Sequence, residues 1–211
     1  RRAMPSADIP EGSAPEPVGR GLKALREAAA GCKRCDLWRP ATQTVFGRGP
    51  ARAHVFVIGE QPGGREDVEG EPFVGPAGRV LVRALDELGI DRAALYMTNA
   101  VKHFKFELRG KRRIHKQPTP AEQKACHLWL ERELSVVKPE IVVCLGAIAS
   151  RAVFGANFSL MKQHGKWFEL EAGRRAFATM HPSWVLRQSG DEERELAYRG
   201  FRDDLALLTR L

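Results

Sequence analysis

The sequence lacks any apolar run close to the ~20 residues that a helix needs to cross a bilayer, and no signal-peptide pattern is visible. We therefore expect a cytoplasmic protein. Hydrophobic residues still make up 43% of the 211 positions, which is enough for most of the chain to fold. A chain of this length suits one domain with a substantial core and is short for two.

Glycine-rich loops that bind phosphate are also missing. The segment GEQPG, at residues 59–63, lacks the Gly-Lys-Ser/Thr ending of a phosphate loop. No GxGxxG pattern follows the first predicted strand either, so a nucleotide cofactor has little support.

Cysteine is scarce, with four residues in the chain. Cys32 and Cys35 form the sequence CKRC, while Cys126 and Cys144 stand apart. In a reducing compartment, this spacing favours metal or cluster binding over disulfides. The CxxC pair alone fits zinc as well as an iron–sulfur centre.

Acidic residues are outnumbered by basic ones, 26 to 34, which gives a net charge of +8 and a pI of about 9.6. Residues 101–116 concentrate this charge, because seven basic side chains stand there against the single acid Glu107. The seven are Lys102, Lys105, Arg109, Lys111, Arg112, Arg113 and Lys116. Such a patch predicts a polyanionic partner, with nucleic acid the first candidate; a solvated loop without a partner is the alternative.

The chain divides into a predicted flexible tail over residues 1–18, rich in Pro, Ala and Ser, and a predicted single domain over residues 19–211. In the domain, short apolar runs alternate with helical segments, as in a parallel sheet covered by helices. The predicted strands are residues 54–59, 95–101, 140–146 and a run that ends at His181. We therefore predict an α/β fold, a three-layer α/β/α sandwich with a central, mainly parallel four-stranded sheet.

Helix positions follow from amphipathic periodicity and end signals. One helix is predicted over about residues 78–88 and a last one over residues 192–211. Between them, Thr119 as N-cap, Pro120 at the first helical position and Glu122 three residues on predict a capping box.

Polar residues stand where several predicted strands end. Glu60 and Gln61 follow the first strand, Asn99 lies near the end of the second, and His181 ends the fourth. Because ligands bind beyond the carboxyl ends of parallel strands, these side chains predict a pocket.

Four segments together resemble one known family: GEQPGGREDVEGEPFVGPAGRVL, TNAVKHFKF, KRRIH and HPSWVLR. They are similar to the iron–sulfur uracil-DNA glycosylases of family 4, and more narrowly to the UdgX branch, whose members cross-link themselves to DNA. GEQPG together with KRRIH points to that branch, because ordinary family 4 members resemble GEAPG and have no such loop. The resemblance covers the chain from Cys32 to the last helix and implies a uracil-DNA glycosylase-like fold.

The resemblance implies a pocket for a uracil taken out of the base stack. Phe73 would stack on the base beside Gly59, and Asn99 would read its Watson–Crick edge, since an amide offers a donor and an acceptor. His181 would donate a hydrogen bond to uracil O2 as negative charge builds on the leaving base. By residue type alone, Phe73 could equally be a core aromatic, and Asn99 a turn residue.

The DNA backbone would be held by two groups of residues. Ser183 and Arg187 would contact phosphates, which position the DNA without reading its sequence. Lys111, Arg112 and Arg113 would contribute the charge of the KRRIH loop. For Arg187, a plain surface arginine is the alternative.

His115 is the residue that the resemblance makes the nucleophile. Cleavage of the glycosidic bond leaves an oxocarbenium-like sugar, and a neutral imidazole has a lone pair that can attack C1′. The neighbouring Arg112 and Arg113 disfavour a further positive charge on His115. Glu60 would offset the developing charge, orient His115 or accept a proton, and Gln61 would help to hold the geometry. A histidine that only contacts phosphate is the alternative.

The resemblance also implies a 4Fe–4S cluster, with Cys32, Cys35, His103 and Cys126 as ligands. His103 stands in VKH, where family 4 sequences resemble VKC. Counting cysteines nominates Cys144 instead, although its place within IVVCLG suits a small buried hydrophobe. A histidine ligand should alter the redox potential, as it does in Rieske-type centres.

The sequence thus predicts an enzyme that excises uracil from DNA, single strands included, and then becomes bonded to the abasic sugar through His115. A conventional glycosylase with a DNA-binding KRRIH loop is the first alternative. A non-catalytic DNA-binding module with zinc or a cluster is the second. We expect a monomer.

Overall fold

The computed structural model of the protein describes residues 12–210, without the side chain of Ala172. Residues 1–11 of the predicted tail therefore lie outside the described residues. Residues 12–18 contain no helix or strand, but the Gly12 amide donates to the Lys33 carbonyl and Glu16 pairs with Arg132. This part of the predicted tail lies against the domain.

Within the described residues, seven strands form a main sheet and a separate hairpin. They are β1 (Val55–Gly59), β2 (Tyr96–Asn99), β3 (Phe106–Arg109), β4 (Arg112–His115), β5 (Ile141–Leu145), β6 (Phe168–Glu169) and β7 (Arg175–Thr179). The main sheet has the order β2–β1–β5–β7–β6. Its first four strands are parallel, as predicted, and β6 adds a short antiparallel edge strand beyond them. A two-residue strand is too short to show a period-2 pattern, which is why the predicted number was four.

The remaining strands, β3 and β4, form an antiparallel hairpin that corrects the expectation of a KRRIH loop. Gly110 and Lys111 make its two-residue turn, and Gly110 has φ +59°, a conformation that favours glycine. In this register Phe106 faces His115 and Leu108 faces Arg113. The hairpin therefore presents His115 from an ordered strand.

The helices of the described chain cover the main sheet on both faces. They are α1 (Gly21–Ala29), α2 (Gly64–Glu69), α3 (Pro76–Glu87), α4 (Pro120–Val137), α5 (Ala147–Phe154), α6 (Leu160–Gln163), α7 (Pro182–Leu186) and α8 (Asp191–Leu205). The capping box at the start of α4 is confirmed, and the last helix ends at Leu205 before a short 3-10 segment. No helix within residues 12–210 is both long and apolar enough to cross a membrane.

Two apolar layers flank the sheet, so the predicted three-layer α/β/α sandwich is confirmed. On one face Leu85 of α3 and Phe201 of α8 pack in a cluster with Val57. On the other face Leu130 of α4 packs in a cluster with Phe56. Because side chains alternate along β1, adjacent residues of one strand supply both layers.

Candidate active site

The carboxyl ends of β1, β2 and β7 border a cavity of about 430 Å³. Its lining contains seven residues predicted for the site: Gln61, Phe73, Asn99, His115, His181, Ser183 and Arg187. A larger groove of about 840 Å³ lies at the amino end of β2, and none of the predicted site residues lines it. The smaller cavity therefore brings the predicted chemistry together.

Gly59 makes room for Phe73 and Asn99, the two residues predicted to recognise the base. A Cβ atom at this position would collide with the Asn99 Oδ1 atom and lie 2.7 Å from Cζ of Phe73. Both of those side chains are buried, with 3% of Asn99 and 5% of Phe73 exposed. Any residue larger than glycine would displace the amide or the ring that lines the cavity.

The backbone holds Phe73 in a strained conformation. Its φ of +58° lies in the left-handed region, which is unusual for a bulky residue and typical of functional sites. Gly78 of α3 lies so close that a Cβ there would collide with the Phe73 carbonyl. The buried Glu66 carboxylate accepts the Gly75 amide at 2.8 Å and anchors the same loop.

His181 has its protonation and tautomer set by its neighbours. Burial lowers its pKa from 6.5 to about 4, and the positive charge of Arg187 acts in the same direction. Nδ1 accepts the Ser183 amide at 3.2 Å, so the proton of the neutral imidazole lies on Nε2. His181 therefore offers a neutral hydrogen-bond donor.

Ser183 and Arg187, predicted to contact phosphate, also form a relay to this histidine. Arg187 donates to Ser183 Oγ at 2.8 Å, and Ser183 Oγ lies 2.7 Å from His181 Nδ1. This chain of hydrogen bonds links the exposed Arg187 to His181.

The ring of His115 lies between two residues that follow β1. Its Nε2 atom is 3.0 Å from Glu60 Oε1 and 3.1 Å from Gln61 Nε2. About half of the His115 side chain, 52%, is exposed, compared with 22% of Glu60. The imidazole is thus accessible at the cavity while a carboxylate lies against it.

Gln61 clamps the base of the hairpin to the end of β1. Its Oε1 accepts the Lys105 amide at 3.0 Å, and its Nε2 donates to the carbonyls of Lys116 and Lys105 at 2.9 and 3.3 Å. These carbonyls use both hydrogens of the Gln61 amide, so His115 Nε2 donates its own proton to Glu60. An alanine after Glu60 could make none of these bonds.

Arg113 faces the protein body, although its sequence position suggested a DNA contact. Its guanidinium donates to the fully buried Asp67 at 2.5 Å and to the Gly64 carbonyl at 3.0 Å. Asp67 also accepts the Thr42 amide at 2.9 Å. The sequence analysis did not single out Thr42, Glu66 or Asp67. A buried acid in a short helix has no local pattern that separates it from an exposed one, and Thr42 is recognised only through its contact with Asp67.

The basic segment is less uniformly exposed than its composition suggests. Lys102 is fully buried, and Lys105 and Lys116 pair with nearby glutamates. Arg109, Lys111 and Arg112 are all exposed, and no ion pair is found for them within residues 12–210. The outer edge of the hairpin therefore carries the free positive charge.

Three of the cysteines lie in one apolar cluster. Cys32 and Cys126 are buried there, with Cys35 packed against them. Burial, together with a smaller effect of the other two thiols, raises the pKa of Cys126 to about 12. Trp129 belongs to the same cluster, and its buried Nε1 has no hydrogen-bond partner in the described structure.

The two candidates for the fourth ligand have different surroundings. His103 is buried, and its Nε2 lies 2.8 Å from Thr44 Oγ1. Cys144 lies in β5 within the apolar layer that contains Phe56, apart from the other thiols. Among residues 12–210, no three His, Cys, Asp or Glu side chains are arranged to hold one metal ion. Three neighbouring thiols and an unpartnered Trp129 N–H donor suit an iron–sulfur cluster in their chemistry. To bind one, the side chains would have to rearrange around it.

Several known proteins are similar to this chain in sequence. The model of the Uracil DNA glycosylase superfamily matches residues 46–206. A type-4 uracil-DNA glycosylase of Sulfurisphaera tokodaii is 35% identical over 78% of this chain and 76% of its own length. One of Thermotoga maritima is 34% identical over 83% of this chain and 88% of its own length. A type-5 uracil-DNA glycosylase of Thermus thermophilus is 32% identical over 83% of this chain and 85% of its own length.

The family match spans the sheet, the cavity and the hairpin, and the relatives extend over most of both chains. The chain therefore belongs to the uracil-DNA glycosylase superfamily.

Proposed function

We propose that this protein excises uracil from DNA and then forms a covalent bond between His115 and C1′ of the abasic sugar. The observation that carries the excision step is the meeting of Phe73, Asn99 and a neutral His181 at one cavity of about 430 Å³. Relatives that bear the name type-4 uracil-DNA glycosylase support the same step.

Three residues of the cavity have roles in that step. The ring of Phe73 stacks on the flipped base, and the Asn99 amide pairs with its Watson–Crick edge. As the N-glycosidic bond breaks, its electron pair moves onto the uracil, and the Nε2 proton of His181 hydrogen-bonds the charge on O2. A neutral donor suits this role because it stabilises the charge without having to give up its proton.

The covalent step uses the histidine of the hairpin. A lone pair of the His115 imidazole forms a bond to C1′, where the bond to the uracil nitrogen has broken, and the ring becomes a positively charged imidazolium. The Glu60 carboxylate, 3.0 Å from Nε2, stabilises this charge or accepts the Nε2 proton. Gln61 keeps the hairpin, and with it His115, beside the sugar.

DNA binding is assigned to the edge of the cavity. Lys111 and Arg112 supply free charge for phosphates, and Ser183 and Arg187 contact the phosphates next to the flipped nucleotide. Arg113 is assigned to positioning the hairpin, because its charge pairs with Asp67. We propose a monomer that accepts single-stranded DNA.

A 4Fe–4S cluster is proposed for the thiol site, with Cys32, Cys35, Cys126 and His103 as its ligands. It would hold the CKRC turn to α4 and serve the structure rather than the reaction. The unpartnered Trp129 Nε1 would donate to a sulfur atom of the cluster.

The first experiment is to mix the protein with a labelled oligonucleotide that contains one uracil, denature the mixture in SDS and separate it on a gel. We expect a band at the summed mass with uracil and none with thymine. His115→Ala should abolish the band. His54→Ala is the matched control, because His54 pairs with Glu140 at 3.1 Å but lies at the opposite end of β1, and this variant should cross-link like the wild type.

The other outcomes separate the alternatives. Strand breakage after alkali without a cross-linked band would indicate a conventional glycosylase whose hairpin only binds DNA. Binding without uracil release would leave a non-catalytic DNA-binding module.

A further inference from the structure

A buried ion pair in contact with the main chain of Asn99 takes no part in the proposed chemistry. The side chain of Lys102 is 1% exposed and that of Glu133, in α4, is 0% exposed. Lys102 Nζ donates to Glu133 Oε2 at 2.5 Å, to Thr98 Oγ1 at 2.6 Å and to the main-chain carbonyl of Asn99 at 2.6 Å. The three hydrogens of an ammonium group thus meet three acceptors.

Glu133 is equally well satisfied. Its carboxylate accepts hydrogen bonds from the Tyr96 hydroxyl at 2.9 Å, the Thr98 hydroxyl at 3.0 Å and the Gly47 amide at 3.0 Å, besides Lys102. Burial and the neighbouring carboxylate raise the pKa of Tyr96. The network therefore fixes two strand residues of β2 to α4.

A contribution to stability does not by itself explain why this buried ion pair is present. Removing two charges from water is costly, and apolar residues of similar volume are often as stabilising in a core. A fully satisfied buried network is better explained by its ability to hold the surrounding residues in one conformation.

The network ends at the residue that reads the base. The Asn99 carbonyl is held by Lys102 Nζ, and the next two amides, of Ala100 and Val101, donate to the carbonyls of Gly59 and Glu60. Lys102 also uses its own amide, which lies 3.2 Å from Cys126 Sγ. One residue thus joins the thiol cluster, α4 and the turn that begins at Asn99.

We propose that Lys102 is a positioning residue, which fixes the Asn99 backbone, and through it the Asn99 amide, for recognition of uracil. The inference rests on the proposed glycosylase function. Lys102 acts through Asn99 and does not itself touch the base.

The test is single-turnover uracil release with increasing protein concentration, which separates the maximal rate constant, the half-saturating concentration and the reactive fraction. In Lys102→Met/Glu133→Leu both charges are removed together, so neither is left unpaired. We expect the maximal rate constant to fall at least about tenfold, since small misplacements of a recognition group are costly. The half-saturating concentration should change little, because the phosphate contacts remain.

A purely structural role would lower the reactive fraction or the melting temperature while the surviving molecules release uracil at the normal rate. That result would overturn the inference. If this variant does not fold, Lys102→Gln/Glu133→Gln is the second variant, which keeps a neutral polar pair. Because glutamine is shorter than lysine, its side chain at position 102 no longer reaches the Asn99 carbonyl. The same fall in rate is expected.

Tyr96→Phe is the matched control, because it removes one hydrogen bond to Glu133 and none to Asn99. It should retain the wild-type rate constant, and an equal fall in this variant would contradict a specific role for Lys102. Wild-type protein is assayed in parallel. Failure of the wild type to release uracil would reject the proposed function, whereas normal rates in all variants would reject only the role of Lys102.

Discussion

At the scale of single residues, the main question is what His115 does once the base has left. We predict that His115→Ser abolishes the cross-link and allows water to reach the sugar, so that uracil release continues over several turnovers. Serine is smaller than histidine and leaves space beside Glu60. The measurement is uracil released per protein molecule, together with the denaturing gel. A cross-linked band that persists in this variant would remove His115 from the covalent step.

The pKa of His181 makes a second prediction at this scale. Burial lowers it from 6.5 to about 4, so between these values the unfolded chain binds a proton that the folded chain does not. This contribution to the free energy of unfolding is therefore present above pH 6.5 and is lost as the pH falls toward 4. Urea denaturation at pH 7 and pH 5 should show a smaller loss of stability in His181→Gln than in the wild type.

The pH dependence of uracil release should also reflect the lowered pKa of His181. Because His181 is still neutral at pH 5.5, we expect no decline in its donor role centred near 6.5. A single-turnover rate that halves near pH 6.5 in the wild type, but not in His181→Gln, would contradict the lowered pKa.

At the scale of elements, the hairpin of β3 and β4 carries two adjacent arginines with different surroundings. Arg113 is held by Asp67, whereas Arg112 has no ion pair within residues 12–210. We predict that Arg113→Met slows cross-linking at least about tenfold, because His115 loses its fixed position. Arg112→Met should instead weaken DNA binding and lower the salt slope by about one phosphate contact. Equal effects of the two substitutions on cross-linking rate and salt slope would contradict this division.

Removal of Arg113 leaves the Asp67 carboxylate buried without its cation, which can destabilise the protein. The variant Arg113→Met/Asp67→Asn controls for that effect, since both charges are removed. Its cross-linking should remain slow although its melting temperature recovers.

At the scale of the whole molecule, the thiol site joins the CKRC turn to α4. We predict that the purified protein contains iron with a visible absorbance, and that Cys126→Ser loses both and melts at a lower temperature. Cys144→Ala should keep its iron, because Cys144 lies in the layer with Phe56. Iron retained in His103→Ala but lost in Cys144→Ala would reverse the assignment of the fourth ligand. Zinc in place of iron would exclude the iron–sulfur cluster.

The elements that could be predicted are those whose patterns are local. Four buried parallel strands appear as short apolar runs, and the capping box at Thr119 needs only a few neighbouring residues. The hairpin could not be predicted because most residues of its two strands are exposed. Its basic sequence therefore shows no alternation of apolar and polar residues. The edge strand β6 was missed because two residues form no pattern.

The same distinction holds at the candidate site. The strand-end residues Asn99 and His181 could be nominated from the chain order, since parallel strands end at one edge of a sheet. The partners of Arg113 could not, because Asp67 lies 46 residues away and only folding brings it near.

The α/β architecture and the polar residues at the strand ends could be predicted without the structure, because periodicity and end signals are properties of neighbouring residues. The tertiary structure decided which charges are free and which are used internally. Lys102, counted with the basic segment, lies fully buried against Glu133, and Arg113 lies against Asp67. The physical reason is that burial and pairing depend on contacts between distant segments, and those contacts turn a run of similar basic residues into groups with different roles.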